Sequence, residues 1–259
     1  MRLDLSSAAI SGYLRAPVEV QVEGEVGSTN TRVKSMLLQG KQPPFLLLAE
    51  SQTAGRGRLG RSFCSPEGAG LYMSLALEAT LPPEELLSVT AAAAVAVALA
   101  VESLTPLSPK IKWVNDLYIE ERKLCGILAE GVIDLSSGRL QGLVIGIGIN
   151  CSDVAMPPEL ADTVTSLERA GAVVDRNRLA AAVCDRLWSL YSELPQKSWL
   201  SPYRERFWLE GKTVVCRIGH RTVEGVALGI DDFGALLVET PLGVERLFSG
   251  EATVRKKSI

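Results

Sequence analysis

At 259 residues, 47% hydrophobic and 22% charged, the chain is long enough to bury one large core and to carry a small satellite domain. A formal net charge of −3 argues against a protein whose main work is gripping nucleic-acid phosphates, and the longest unbroken apolar stretch, 91–101, is too short to cross a membrane. Five cysteines without a CxxC pair and a single histidine, His220, argue against a disulfide framework, a zinc site or a histidine-based triad, and with no apolar signal core near Met1 a cytoplasmic protein is expected.

No element is read before Ser28. Ser28-Thr29-Asn30 then has the form of a helix N-cap, Val33, Met36 and Leu37 follow at helical spacing, and Gly40 closes a helix near 29–39. The apolar runs 45–50, behind Pro43-Pro44, and 70–77, behind a Gly/Ser/Pro-rich segment, suit buried strands joined by a long polar loop. The Ala-, Leu- and Val-rich stretch 84–104, acidic in its first turn, predicts a helix that packs closely on a sheet. Segments 111–114, 117–119, 124–130 and 140–150 read as successive strands, with Ser136-Ser137-Gly138 as a hairpin turn. Helices follow over 175–194, opened by an Asp cap, and over 202–209. From Gly211 the texture changes to short alternating strands broken at Gly219-His220, Asp231-Asp232-Phe233-Gly234 and Pro241-Leu242-Gly243, a small barrel-like pattern. The expected fold is α/β (α+β): a mixed β-sheet flanked by helices over 1–210, then a small β-domain over 211–259.

Four segments carry chemistry. Gly55-Arg56-Gly57-Arg58-Leu59-Gly60-Arg61 alternates guanidinium groups, which suit carboxylate and phosphate oxygens, with glycines that let a backbone approach a ligand. It is neither a Walker loop nor a Rossmann fingerprint, and a solvated loop or an RGG-like RNA contact would have the same composition. Lys112-Trp113-Val114-Asn115-Asp116-Leu117-Tyr118 reads as a turn between apolar flanks, but Arg122-Lys123-Leu124-Cys125-Gly126-Ile127-Leu128 carries Lys123 into a strand, where a cation is costly unless it meets an anion. Gly146-Ile147-Gly148-Ile149-Asn150 places glycines inside a strand, which calls for a close approach of a ligand to the backbone or, equally well, for a close packing contact between strands.

In this order, GRGRLGR, KWVNDLY, RKLCGIL and GIGIN resemble the signature segments of the biotin protein ligase family, and the resemblance extends over 26–259. It implies a catalytic domain followed by an SH3-like domain, and an enzyme that forms biotinyl-5'-AMP from biotin and ATP and passes biotin to a lysine of a biotin carboxyl carrier domain. On that resemblance Ser28, Thr29, Asn30 and Gln52 would contact biotin, with Gly57, Arg58 and Gly126 shaping the same pocket. Arg56, Arg58 and Arg61 would handle the biotin carboxylate and the nucleotide phosphates. Lys123 would bridge the activated carboxylate and the α-phosphate. Phe63, Lys112, Asn115, Asp116 and Asn150 would line the nucleotide side, where Mg2+ is expected with Asp116 as its candidate ligand. Asp116 is equally a candidate base for the transfer step.

The departures are local. Val114 stands where the family often has proline, which loses a rigid turn but no functional group. Phe63 can stack but cannot donate a hydrogen bond, and Val164 stands where some members have a tryptophan over the adenylate. Fewer than thirty residues precede Ser28, so the DNA-binding helix-turn-helix of bifunctional members is not expected, nor is a DNA or membrane partner. Oligomeric state stays open, a homodimer included. The chemistry needs no histidine, because biotin's carboxylate is already ionised at neutral pH and requires alignment and charge neutralisation instead. The rivals are a lipoate-attaching ligase or octanoyltransferase, a binding-only regulator, and a nucleic-acid binder using the Arg/Gly loop.

Overall fold

The computed structural model describes residues 4–79, 85–134, 136, 138, 140–152, 157, 160 and 162–255. Seven strands form the first sheet: β1 Glu19–Val26, β2 Phe45–Gln52, β3 Gly70–Leu77, β4 Lys110–Lys112, β5 Asp116–Ile119, β6 Arg122–Ile133 and β7 Leu140–Asn150. Their order is β1-β2-β3-β7-β6-β5-β4. β1 and β2 run parallel, with helix α2, Thr29–Leu38, between them in the chain, and every other neighbouring pair is antiparallel.

Both faces of this sheet are covered, which is why β2 and β3 read as continuous apolar runs. Successive side chains on a strand point to opposite faces. Phe45 and Leu47 accordingly join Val33, Met36 and Leu37 of α2, while Leu46 and Leu48 join the larger core that contains helix α3, Leu86–Leu104, and helix α4, Arg176–Ser192. The alanines of α3 let it lie close against its neighbours, and 72% of its Leu87–Leu104 window is buried. That window is apolar and long enough to cross a membrane by composition, and its apolar surface is used here in the core.

The second sheet has the order β11-β10-β9-β8-β12, built from β8 Thr213–Ile218, β9 Arg221–Ile230, β10 Leu236–Thr240, β11 Gly243–Leu247 and β12 Glu251–Val254. It is antiparallel throughout, as its short alternating segments predict. It leans on the first sheet through Trp113 Nε1, which donates to the Gly234 carbonyl at 2.9 Å.

Several local expectations need correction. A helix α1, Ser7–Tyr13, and strand β1 precede Ser28. Alternation of Val20, Val22 and Val26 with polar residues is the sequence signal for β1, and α1 is held by Asn177, whose Oδ1 accepts from Ser6 N at 2.8 Å. The strand expected over 111–114 ends at Lys112, and Trp113–Val114 is a cis peptide. The strand expected over 124–130 runs from Arg122 to Ile133. The helix expected over 202–209 is α5, Leu200–Glu205; its tail returns to the sheet edge, where Phe207 bridges Ile111 and Trp208 N donates to Ile111 O at 2.9 Å. The α3 helix begins at Leu86 with no acidic first turn, and position 84 lies outside the described residues.

Arg176, at the start of α4, is buried with Glu50 of β2 in an ion pair of 2.7 Å and also donates to Gly70 O at 3.2 Å. Glu50 in turn accepts from Leu5 N at 2.5 Å, so one carboxylate gathers the N-terminal segment, β2 and α4. Arg176→Ala would strand that charge, and a loss of about 3–5 kcal/mol is expected in urea unfolding. Arg176→Met with Glu50→Gln should recover most of it.

Candidate active site

The start of α2, the end of β2 and the arginine loop close over the middle of β6 and β7, leaving a cleft with about 470 Å³ of empty space. Ser28, Thr29, Asn30 and Gln52 form its polar end. Ser28 has the extended backbone of an N-cap residue, φ −157° and ψ 134°, but its hydroxyl makes no capping bond, so it is free to meet a ligand. Arg56, Gly57, Arg58 and Phe63 come from the loop, Asn115 from the turn before β5, and Lys123 and Gly126 from β6.

The loop is braced across its base. Phe63 N donates to Gly55 O at 2.9 Å, and Gly57 N donates to Arg61 O at 2.7 Å. Each arginine has a partner elsewhere: Arg56 Nη2 lies 3.3 Å from Glu130 Oε1, Arg58 donates to Asn115 Oδ1 at 2.8 Å and to Gly250 O at 3.1 Å, and Arg61 grips Glu251 with two bonds of 2.7 and 2.6 Å.

Lys123 Nζ stands 2.7 Å from Asp116 Oδ1, which also accepts from Asn115 Nδ2 at 3.1 Å. The anion that the position of Lys123 in a strand demands is therefore supplied by the KWVND turn. Burial lowers the pKa of Arg58, an effect opposed by Asp116 and Glu251, and it lowers that of Lys112 in the same way. Cations outnumber carboxylates here, an arrangement suited to a polyanion.

A second cleft, with about 500 Å³ of empty space, lies on the other side of Phe63 and is lined by Lys123, Asn150, Ser62, Cys64, Leu160 and Val164. Asn150 is fixed by donation to Thr165 O at 3.0 Å. Phe63 and Lys123 border both clefts. Of the segment that resembles the adenylate lid, 153–156, 158, 159 and 161 lie outside the described residues.

The sequence-derived set thus converges with few exceptions. Arg61 and Lys112 line neither cleft: Arg61 is spent on Glu251, and Lys112 faces Tyr118, with its Nζ 3.5 Å from the phenol oxygen. Asp116 reaches the clefts only through Lys123 and Asn115. Among the described residues no three His, Cys, Asp or Glu side chains gather to hold a metal.

Sequence reasoning missed Glu130, Ser74, Ile127 and Leu128, and it left open what approaches the wall formed by Gly146, Ile147 and Gly148. The glycines had left a signal, and their reason is now specific. A Cβ on Gly146 would lie 2.1 Å from Asn30 Oδ1, and one on Gly148 would lie 2.5 Å from the Phe63 ring. Glu130 is opposed by burial, but hydrogen bonds from Lys34 and Asn30 outweigh it and hold its carboxyl below the usual range.

Residues 24–150 match the biotin/lipoate A/B protein ligase family, and 211–255 match the biotin protein ligase C terminal domain. The bifunctional ligase/repressor BirA of Bacillus spizizenii is 36% identical over 235 residues, 87% of this chain and 71% of that one. The biotin–[acetyl-CoA-carboxylase] ligase of Mycobacterium tuberculosis is 31% identical over 232 residues, 85% of this chain and 83% of that one. Among solved structures, the biotin protein ligase from Aquifex aeolicus in complex with biotin and ATP superposes with a TM-score of 0.78 at 30% identity, over 92% of this chain and 99% of that one. The chain belongs to the biotin protein ligase family. It spans 65% of the length of the Escherichia coli BirA that it matches at 34% identity.

The glycine wall gives a direct test. Gly146→Ala and Gly148→Ala should each cost about 1–3 kcal/mol in chemical denaturation by forcing Asn30 or Phe63 aside. Gly57→Ala, whose Cβ would find its nearest neighbour at 3.5 Å, should cost far less.

Proposed function

We propose that the enzyme activates biotin with ATP as biotinyl-5'-AMP in these two clefts and then transfers biotin to a lysine of a biotin carboxyl carrier domain. The observation that carries this reading is the pair of clefts meeting at Lys123 and Phe63. One holds an acid with a polar head and the other a nucleotide, so the carboxylate and the α-phosphate come together beside one ammonium group.

Within the first cleft the polar end made by Ser28, Thr29, Asn30 and Gln52 suits the ureido ring of biotin. An octanoyl or lipoyl chain would leave those groups unpaired, a penalty that discriminates strongly. Arg56 and Arg58 neutralise the carboxylate and the phosphates, and Lys123 holds the two reacting oxygens. On the nucleotide side Asn150 is fixed by its bond to the Thr165 carbonyl, and Phe63 offers a flat apolar face, while Asn115 stays in the first cleft as the acceptor that orients Arg58. Arg61 joins them only after leaving Glu251. A single carboxylate fits a Mg2+ whose other ligands are phosphate oxygens and water, so Asp116 would hold the ion only with nucleotide present. Bound there, Mg2+ would neutralise the departing pyrophosphate.

For Asp116 the Lys123 pair favours an orienting role over that of a base. In the transfer step the carrier lysine, with an amine that ordinarily titrates near about 10.4, must lose a proton, and the carboxylate is available to it only if Lys123 lets go. Asp116→Asn is therefore expected to slow both half-reactions, and Lys123→Gln to lower adenylate formation by about 10²–10³-fold. A variant that forms adenylate normally but fails to transfer would assign Asp116 as the base.

The reading is tested by exchange of labelled pyrophosphate into ATP with biotin, lipoate or octanoate. Exchange with biotin alone is expected; exchange with either fatty acid would move the enzyme to the lipoate branch, and none with any acid would leave a binding protein.

A further inference from the structure

Beneath the polar end of the first cleft lies a hydrogen-bond chain whose direction can be read atom by atom. At one end Glu130 Oε2 and the Leu128 carbonyl, which can only accept, lie 2.9 and 3.2 Å from the Asn30 amide nitrogen. They fix the amide with its nitrogen toward β6 and its oxygen toward Ser74, 2.6 Å away. Ser74 is fully buried and has one proton, which goes to that oxygen. Its Oγ also lies 2.7 Å from Thr29 Oγ1, so in that contact it must accept, and the Thr29 proton is the one between them.

At the other end the Thr29 N–H, which can only donate, points at Gln52 Oε1 at 2.9 Å, while the Gln52 amide nitrogen donates to Ser65 Oγ at 2.8 Å. Ser65 passes its own proton to the Phe63 carbonyl at 3.0 Å. Both chains are thus oriented by groups that cannot reverse. They leave Thr29 Oγ1 and Gln52 Oε1 facing each other at 3.2 Å with the Thr29 proton turned away to Ser74.

We propose that Glu130 and Ser74 are positioning residues that act through Asn30 and Thr29 to hold the Thr29 and Gln52 side-chain oxygens as acceptors at this end of the cleft, and so select a ligand that presents N–H donors to them. The inference rests on the proposed biotin site and adds the origin of its selectivity. A ureido ring supplies such N–H groups, whereas an isosteric cyclic carbonate, with ring oxygens in place of both nitrogens, would set lone pairs against lone pairs. Without Ser74, the Thr29 hydroxyl is free to turn and donate to such an oxygen. With Gln at position 130 the facing group can donate as well as accept, so only the longer bond to the Leu128 carbonyl still holds Asn30 one way round.

The test is titration calorimetry with biotin and its cyclic carbonate analogue, on the wild-type chain, Ser74→Ala and Glu130→Gln. The wild type is expected to prefer biotin by at least about a hundredfold. The preference should fall at least tenfold in each variant, whatever happens to absolute affinity. The ratio is the readout because Glu130 also pairs with Lys34 and Arg56, and damage to those contacts weakens both ligands alike. A ratio unchanged in the folded variants overturns the proposal while leaving the biotin reading in place. A wild-type chain that binds neither ligand overturns the biotin reading itself. Should Ser74→Ala fail to fold, Glu130→Gln decides the matter alone, since its side chain is partly exposed and keeps its shape.

Discussion

A cation placed in the wall of a half-buried cleft must meet an anion or give up its charge, and the pairing of Lys123 with Asp116 is the constraint around which the site is arranged. Meeting that requirement brings the turn before β5 against the start of β6. Asn115 then lies where it can receive Arg58, and Arg58 in turn reaches Gly250 in the turn between β11 and β12 of the second sheet. Three sequence segments and the C-terminal sheet are thus joined by one chain of charge-assisted hydrogen bonds. None of these groups is a histidine, consistent with chemistry that aligns two anions without first removing a proton.

Around this polar chain the scaffold is apolar and close-packed. β2 and β3 are sandwiched between α2 on one face and α3 with α4 on the other, so the strand ends that carry Gln52 and the arginine loop start from a rigid base. The glycines of β7 serve the same end by absence. By giving up side chains they let Asn30 and Phe63 descend onto the strand, one fixing the polar end of the first cleft and the other dividing it from the second.

How much of this was legible in the sequence follows from where each signal lies. The arginine loop, the Asn-Asp turn and Lys123 were readable because they break local rules, with charge or glycine where a strand or turn prefers otherwise. Long apolar strands such as β3 and β7 were readable because both of their faces are buried. Glu130 and Ser74 were not, since a carboxylate and a serine within strands are ordinary until folding brings them to Asn30, 100 and 44 residues away. Arg61 and Lys112 were placed on the nucleotide side by their motifs, but in this structure each has a nearer partner. The sequence predicts a helix that runs past Glu205 because Phe207 and Trp208 have the spacing of a helix, yet both are captured by Ile111 of β4.

The contacts of Arg58 and Arg61 with Gly250 and Glu251 carry one more consequence. The two sheets cannot separate without breaking these bonds, and the loop cannot surrender both groups to a ligand without giving up its ties to the C-terminal region. The C-terminal region thus competes with any ligand for two arginines of a loop to which it contributes no sequence.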